Sequence, residues 1–359
     1  MNAPHVNISA PARKPQPARA RMVTTKSINL ALQGGGAHGA FTWGVLDRLL
    51  EDDRVSFDGT VATSAGAMNA AVMAYGLAEG GREGARKALA NFWRRVSHAA
   101  SAGPLQPSVF DRLANNRSLE NSPAFLWFDL VSRLMSPYQF NPLNFNPLRH
   151  ALEQSVDFEV IRRKCTMKLY ICATNVRSGK IKVFDRSEIS ADAVMASACL
   201  PLMFQAVEID GEAYWDGGYM GNPAIYPLIY NCDSRDVLIV HINPMYQPEV
   251  PTTASEILNR INEISFNSSL MREMRAIAFV THLIDENAVC SMELKRVLIH
   301  AISADKVMGG LSASSKLNAD WAFLSTLHDA GRELAGQWLD QNHDALGNRS
   351  TIDIRATYL

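Results

Sequence analysis

Short uninterrupted apolar runs alternate with stretches of helical spacing along the first part of the chain. Ile28-Asn29-Leu30-Ala31-Leu32 reads as a buried strand, and Ala40, Phe41, Val45, Leu46, Leu49 and Leu50 follow at helical spacing. Phe57 to Thr63 reads as a second strand, and the small residues Ser64 to Ala74 as a helix that begins with no loop between. Strand, helix, strand, helix in quick order predicts a parallel sheet. Residues 84–98 are helical in pattern. Residues 101–150 break the alternation as an insertion does, rich in Pro, Asn and aromatics such as Phe125-Leu126-Trp127-Phe128 and Tyr138-Gln139-Phe140-Asn141-Pro142.

Regularity returns with strand-like Leu169–Thr174 and Ile181–Phe184. Val194–Leu200 is a short small-residue helix stopped by Pro201. Val207–Ile209 and Glu212–Trp215 flank a turn at Asp210-Gly211, as a hairpin would. Val237–Ile242 is another buried strand. From Thr253 the pattern is helical: Ile257, Ile261 and Ile264 share one face, as do Leu270, Met274, Ile277 and Thr281. A last helix over 317–342 carries Trp321, Leu324, Leu327 and Trp338.

The 359 residues are enough for one large α/β domain or two small ones with a sizeable core, and 47% hydrophobic with 20% charged residues is an ordinary soluble composition. A formal net charge of -1 argues against a nucleic-acid binder held by overall charge. The 5 cysteines contain no CxxC pair, and an odd count leaves one unpaired in any all-disulfide scheme, so reduced thiols and a cytoplasmic setting are expected. No run approaches the ~18 apolar residues of a membrane span. Residues 1–26 carry Arg13, Lys14, Arg19, Arg21 and Lys26 among prolines and alanines, with no apolar segment of signal-peptide type. They read as a disordered basic tail, either solvated or touching an anionic membrane.

Ser64 is the leading chemical candidate. A serine at a strand-to-helix junction sits on a sharp turn with its hydroxyl clear of the backbone, above a helix N-terminus that favours negative charge. Ala62-Thr63-Ser64-Ala65-Gly66 is one residue away from G-x-S-x-G. A plain serine N-cap is the competing reading. Gly34-x-Gly36-x-x-Gly39, between a strand and a helix, also has two readings. It fits a dinucleotide fingerprint, for which Asp58 stands near the expected ribose-binding position but precedes the strand end. Alternatively, Gly34, Gly35 and Gly36 form an oxyanion hole, with the amides of Gly35 and Gly36 aimed at a substrate. Of the nine histidines none stands out as a base; His241 and His300 read as packed or surface residues. Asp216, in Trp215-Asp216-Gly217-Gly218-Tyr219, is the better candidate, since a partly desolvated carboxylate within reach of Ser64 can act directly. An ordinary Asp-Gly turn is the rival reading.

These pieces, in this order, resemble the patatin-like phospholipases. Gly34 to Gly39, with Ala37 and His38 inside it, is similar to that family's glycine-rich oxyanion motif. Ala62 to Gly66 is similar to its nucleophile elbow, and Asp216-Gly217-Gly218 to its D-G-A/G motif. Ala196-Ser197-Ala198-Cys199-Leu200-Pro201 resembles its Ala-Ser-Ala-x-x-Pro segment, and the likeness runs from about Ile28 to about Tyr230. It implies a three-layer α/β/α fold, a Ser64–Asp216 dyad without histidine, and hydrolysis of lipid acyl esters through an acyl-enzyme, with no metal or cofactor. Two departures stand out. Ala62 replaces the usual glycine, and His38 replaces a usual Arg or Lys thought to face an anionic headgroup. A neutral imidazole offers less to a phosphate and makes binding pH-dependent; the alternative is that His38 packs on the first helix turn.

The expected organisation is therefore a tail over 1–26, a catalytic domain over 27–245 interrupted around 101–150, and a helical region over 246–359. That last region packs on the core beside the cleft or mediates oligomerisation. Phe110, Phe125, Trp127, Phe128, Leu134, Met135 and Phe140 either line an acyl trough, dip into a membrane surface, or fill the interface between insertion and core, which is the expected role for most of them. A lipid ester is the expected partner, with peripheral membrane contact open. The competing functions are an acyltransferase on the same dyad, a silent lipid-binding module, and a nucleotide binder using the glycine loop.

Overall fold

The computed structural model describes residues 25–101, 103, 117–120, 122–287 and 294–359. The expected tail up to residue 24, Phe110 and Cys290 lie outside the described residues. Strands β1 (Lys26–Leu32), β2 (Val55–Ala62), β3 (Lys168–Asn175), β4 (Ile181–Asp185), β5 (Val207–Ile209), β6 (Glu212–Asp216), β7 (Asp236–His241) and β8 (Leu298–Ser303) form one sheet. Its order is β5-β6-β3-β2-β1-β7-β8, with β4 on β3. The β3–β2–β1–β7–β8 core is parallel, and β4, β5 and β6 add an antiparallel side.

The helices are α1 (Gly39–Glu51), α2 (Ala65–Ser101, broken at Gly80 and Gly81), α3 (Pro123–Leu134), α4 (Pro137–Phe140), α5 (Pro147–Glu153) and α6 (Phe158–Lys164). They continue with α7 (Ala191–Ser197), α8 (Tyr226–Asn231), α9 (Ala254–Asp285), α10 (Asp305–Met308), α11 (Trp321–Asn342) and α12 (Ile354–Tyr358). Strand alternation sorts the core onto two faces. Ile28, Leu30 and Leu32 of β1 meet α1, α2, α7 and α11, whereas Ala31, with Val61, Val237 and Ile239, meets α8, α9 and α12. The result is the expected three-layer α/β/α arrangement around a mostly parallel sheet.

The region after 245 is not wholly helical. Leu298–Ser303 returns as β8 and pairs in parallel with β7, so this part of the chain completes the sheet. His300 and Asp236 tie β8 to β7 and to the chain at Gly347. The buried His300 Nε2 lies 3.0 Å from Asp236 Oδ1, which also accepts from Gly347 N–H at 2.8 Å. On α9, Leu270, Met274 and Ile277 are buried as their spacing predicts, while Ile257, Ile261 and Ile264 face outward. The four described cysteines are free and buried. No helix among the described residues is long and apolar enough to cross a membrane.

Candidate active site

The sheet register explains how Ser64 and Asp216 meet. β4 occupies one edge of β3 along residues 170–174, so β2 and β6 must share the other edge. Ala62, the last residue of β2, is opposite Ile171, and Asp216, the last residue of β6, is opposite Ala173. Two residues of strand separate those positions, about 7 Å. β6 therefore runs in from the far end toward the point where β2 stops and turns into α2. Ser64 occupies that turn, with φ 55. Such a conformation costs a non-glycine residue about 1–3 kcal/mol and holds only where its surroundings enforce it.

The surroundings do so. Ser64 N–H donates to Ser197 Oγ at 2.9 Å, and Thr63 Oγ1 donates to Gly221 O at 2.6 Å. Gly66 lies so close to β1 that a Cβ there would come 2.4 Å from the Leu32 carbonyl oxygen. Small size at 66 lets α2 begin directly over the sheet. Ala62 is fully buried, and the sheet accommodates its methyl.

The glycine loop crosses the same point. A Cβ on Gly34 would fall 2.4 Å from Ser64 Cβ, so the approach of loop to elbow requires glycine at 34. Gly34 N–H, however, donates to Asn222 Oδ1 at 2.7 Å. Within the expected Gly34–Gly36 loop, Gly34 thus serves as a spacer with its own amide taken, which leaves Gly35 and Gly36 as the expected donors. Gly35 and Gly36 open the 3-10 turn Gly36–His38, where the leading amides have no partner within the turn. Gly36 has φ 60. Gly39 starts α1 against Ala65, and Ala37 and His38 are buried.

A buried amide network fixes this loop, and sequence reasoning missed it. Gln33 Oε1 accepts from Ile242 N–H at 3.0 Å and Asn243 N–H at 3.1 Å, and Asn243 Nδ2 donates to Gly34 O at 2.6 Å. Gln33 Nε2 donates to Asn222 O at 3.2 Å. The available signal was a glutamine ending an apolar strand, directly before the glycines. Ser197 lay inside a quoted motif without a role; it anchors the elbow.

Asp216 is fully buried. Its Oδ1 accepts from Gly218 N–H at 2.7 Å, and Gly217 begins the turn that makes this possible. Its Oδ2 has no well-formed hydrogen bond, while the Ser64 hydroxyl is near enough to favour the ionised form. Burial wins, pushing the carboxyl up to about 7 against the pull of Gly218 and Ser64. The group can therefore both take and return a proton near neutral pH.

The histidines stand apart. His38 is buried with Nε2 2.7 Å from Ser315 Oγ, and burial, aided by Lys316, lowers it to about 3. The packed reading holds for it, and a neutral ring offers no cation to a headgroup. His241 is buried at the end of β7 and lowered to about 4 by desolvation. Asp58 occupies a bulge in β2 between Phe57 and Gly59, and its Oδ2 accepts from Asp233 and Ser234 N–H groups. It is thus occupied early in the strand, away from the glycine loop.

Two apolar cavities adjoin, and the smaller reaches the elbow. One of about 200 Å³ is lined by Ser64, Gly36, Met68, Trp93 and Phe204. A second of about 610 Å³ is lined by Trp127, Phe128, Val131 and Phe140. Val96, Leu148, Phe204 and Leu317 border both, making one trough from Ser64 to the aromatic insertion. Trp127, Phe128 and Phe140 therefore line space, where interface filling was the expectation; Leu134 and Met135 are exposed.

The family model for patatin-like phospholipases matches residues 30–229, more than half of the chain. Among curated proteins there is no match. Among solved structures, VipD from Legionella pneumophila is similar over 88% of this chain and 67% of its own, at 16% identity and TM-score 0.44. ExoU, from the ExoU–SpcU complex of the Pseudomonas aeruginosa type III secretion system, is similar over 89% and 52%, at 14% identity and TM-score 0.39. The chain thus spans two thirds of the VipD chain and about half of the ExoU chain. The glycine loop, the serine elbow and the Asp-Gly-Gly turn all fall inside the matched stretch, and on that match the chain belongs to the patatin-like phospholipase family, whose members are lipid acyl hydrolases.

Proposed function

We propose that the protein hydrolyses lipid acyl esters with a Ser64–Asp216 dyad. The observation that carries this reading is the register of β3, which sets the ends of β2 and β6 against each other. Ser64 Oγ attacks the ester carbonyl carbon while its proton passes to Asp216 Oδ2. The amides of Gly35 and Gly36 stabilise the oxyanion, each such donor being worth about 3–4 kcal/mol of barrier. The leaving alcohol takes the proton back from Asp216, and an acyl-Ser64 ester remains. Asp216 then draws a proton from water, whose oxygen attacks the acyl carbon; the bond to Ser64 Oγ breaks, Asp216 returns the proton to Ser64 Oγ, and the acid is released. The acyl chain lies in the trough beyond Ser64. A lipid substrate follows from the length and apolar lining of that path.

Ser64→Ala and Asp216→Asn are each expected to lower kcat/KM on a short-chain nitrophenyl ester at least about a thousandfold with unchanged circular dichroism. A fluorophosphonate probe should label the parent and not Ser64→Ala. Full activity in either variant would overturn the dyad. Product analysis with an added lysolipid acceptor separates hydrolysis from acyl transfer.

A further inference from the structure

The rim of the trough is apolar on its outside as well as its inside. α3 buries none of its residues, and Leu126, Leu130 and Leu134 are exposed along it, Leu134 by 75%. Beyond it, the Asn141 side chain ties down Phe145: Oδ1 accepts from Phe145 N–H at 2.9 Å and Nδ2 donates to Phe145 O at 3.0 Å. The pinned loop holds Leu143 outward at 91% exposure and Phe145 at 72%. Loop tips in water are ordinarily polar, and a concentration of exposed apolar side chains of this kind marks an interaction site. Between residues 123 and 145 the charged side chains are Asp129 and Arg133, which pair with each other at 2.9 Å. The lip carries no unbalanced charge. Trp127 and Phe128, on the same helix, line the cavity of about 610 Å³ that adjoins the Ser64 cavity.

We propose that this lip, α3 with the 141–145 loop, inserts into the acyl region of a zwitterionic lipid surface, so that the trough opens directly onto the chains. The proposal rests on the hydrolase reading above. The occupant is lipid because the outer face and the inner path are two sides of one helix. A protein or a second copy seated there would close the entrance to the trough. The balanced charge makes insertion an apolar process, independent of anionic lipid and insensitive to salt.

The test is flotation of the full chain with phosphatidylcholine vesicles at low and high salt. The parent is expected to float equally at both. Leu134→Glu combined with Leu143→Glu should lower the floated fraction about tenfold or more while turnover of a monomeric short-chain ester stays within about twofold. The loop-tip single variant Leu143→Glu, read in the same way, covers the case in which the double variant misfolds. Ser64→Ala should float like the parent, which keeps docking separate from catalysis. Failure of the parent to float, or equal flotation of the Leu143→Glu variant, would overturn the proposal. So would parent dimers that the same substitution dissolves, since a second copy would then be the occupant.

Discussion

At Ser64 and Asp216 a backbone strain and a buried acid are set at facing strand ends. The strain at Ser64 is held by Ser197, whose hydroxyl takes the Ser64 N–H. Ser197→Ala leaves that amide buried without an acceptor, at a cost of about 1–3 kcal/mol. The expected kinetic result is a fall in kcat of about ten- to a hundredfold with KM little changed, because the nucleophile is misaimed and the trough is intact. Equal kcat values would show that the elbow holds itself. Asp216 must be ionised to accept a proton, and burial sets it at about 7. Consequently kcat/KM should rise with pH through a midpoint at about 7 and level off about one pH unit higher. A flat profile between pH 5 and 8 would place the proton acceptor elsewhere.

The trough is a property of elements. α2 supplies Val96, α5 supplies Leu148, the segment after α7 supplies Phe204 and the turn before α11 supplies Leu317. These four line the passage between the two cavities. Leu148→Trp should block it. Butyrate esters, which end short of the junction, should be cleaved nearly as before, and palmitate esters at least about tenfold more slowly. A parallel loss of both would mean that the acyl chain leaves Ser64 by another route.

Over the whole molecule, the buried acid sets how stability varies with pH. The Asp216 carboxyl stands at 3.8 unfolded and about 7 folded. Its contribution is therefore fully present below pH 4 and is lost as pH rises through 7, where the charge must be buried. The deficit reaches about 4 kcal/mol in alkaline solution. Glu273, raised from 4.5 to about 7 by burial while it accepts from Ile225 and Tyr226 N–H groups, acts in the same direction. Asp216→Asn, though inactive, should melt higher than the parent at pH 8.5, and the gap should narrow by roughly 2–3 kcal/mol at pH 5. Calorimetry at the two pH values checks this, and a gap independent of pH would mean that Asp216 is not buried as a charge.

Much of the molecule was legible in the amino-acid sequence. Local pattern alone marked β1 to β7, the helical halves of α2 and the insertion, because buried strands and amphipathic helices write their period into consecutive residues. Glycine at 34 and 66 and serine at 64 were equally plain, since only small residues tolerate such close backbone approach. β8 was hidden, because Val297–Ile302 is too short a run to separate from a buried helix until β7 offers it an edge. The acceptor of the Gly34 amide, Asn222, was hidden too, because it lies far away in sequence. The pairing of Asp216 with Ser64 required β4 to occupy one edge of β3 and leave the other to β2 and β6 together. Sequence determined which residues could carry chemistry; register and burial, which depend on contacts between distant segments, decided which of them meet and at what pH the acid holds its proton.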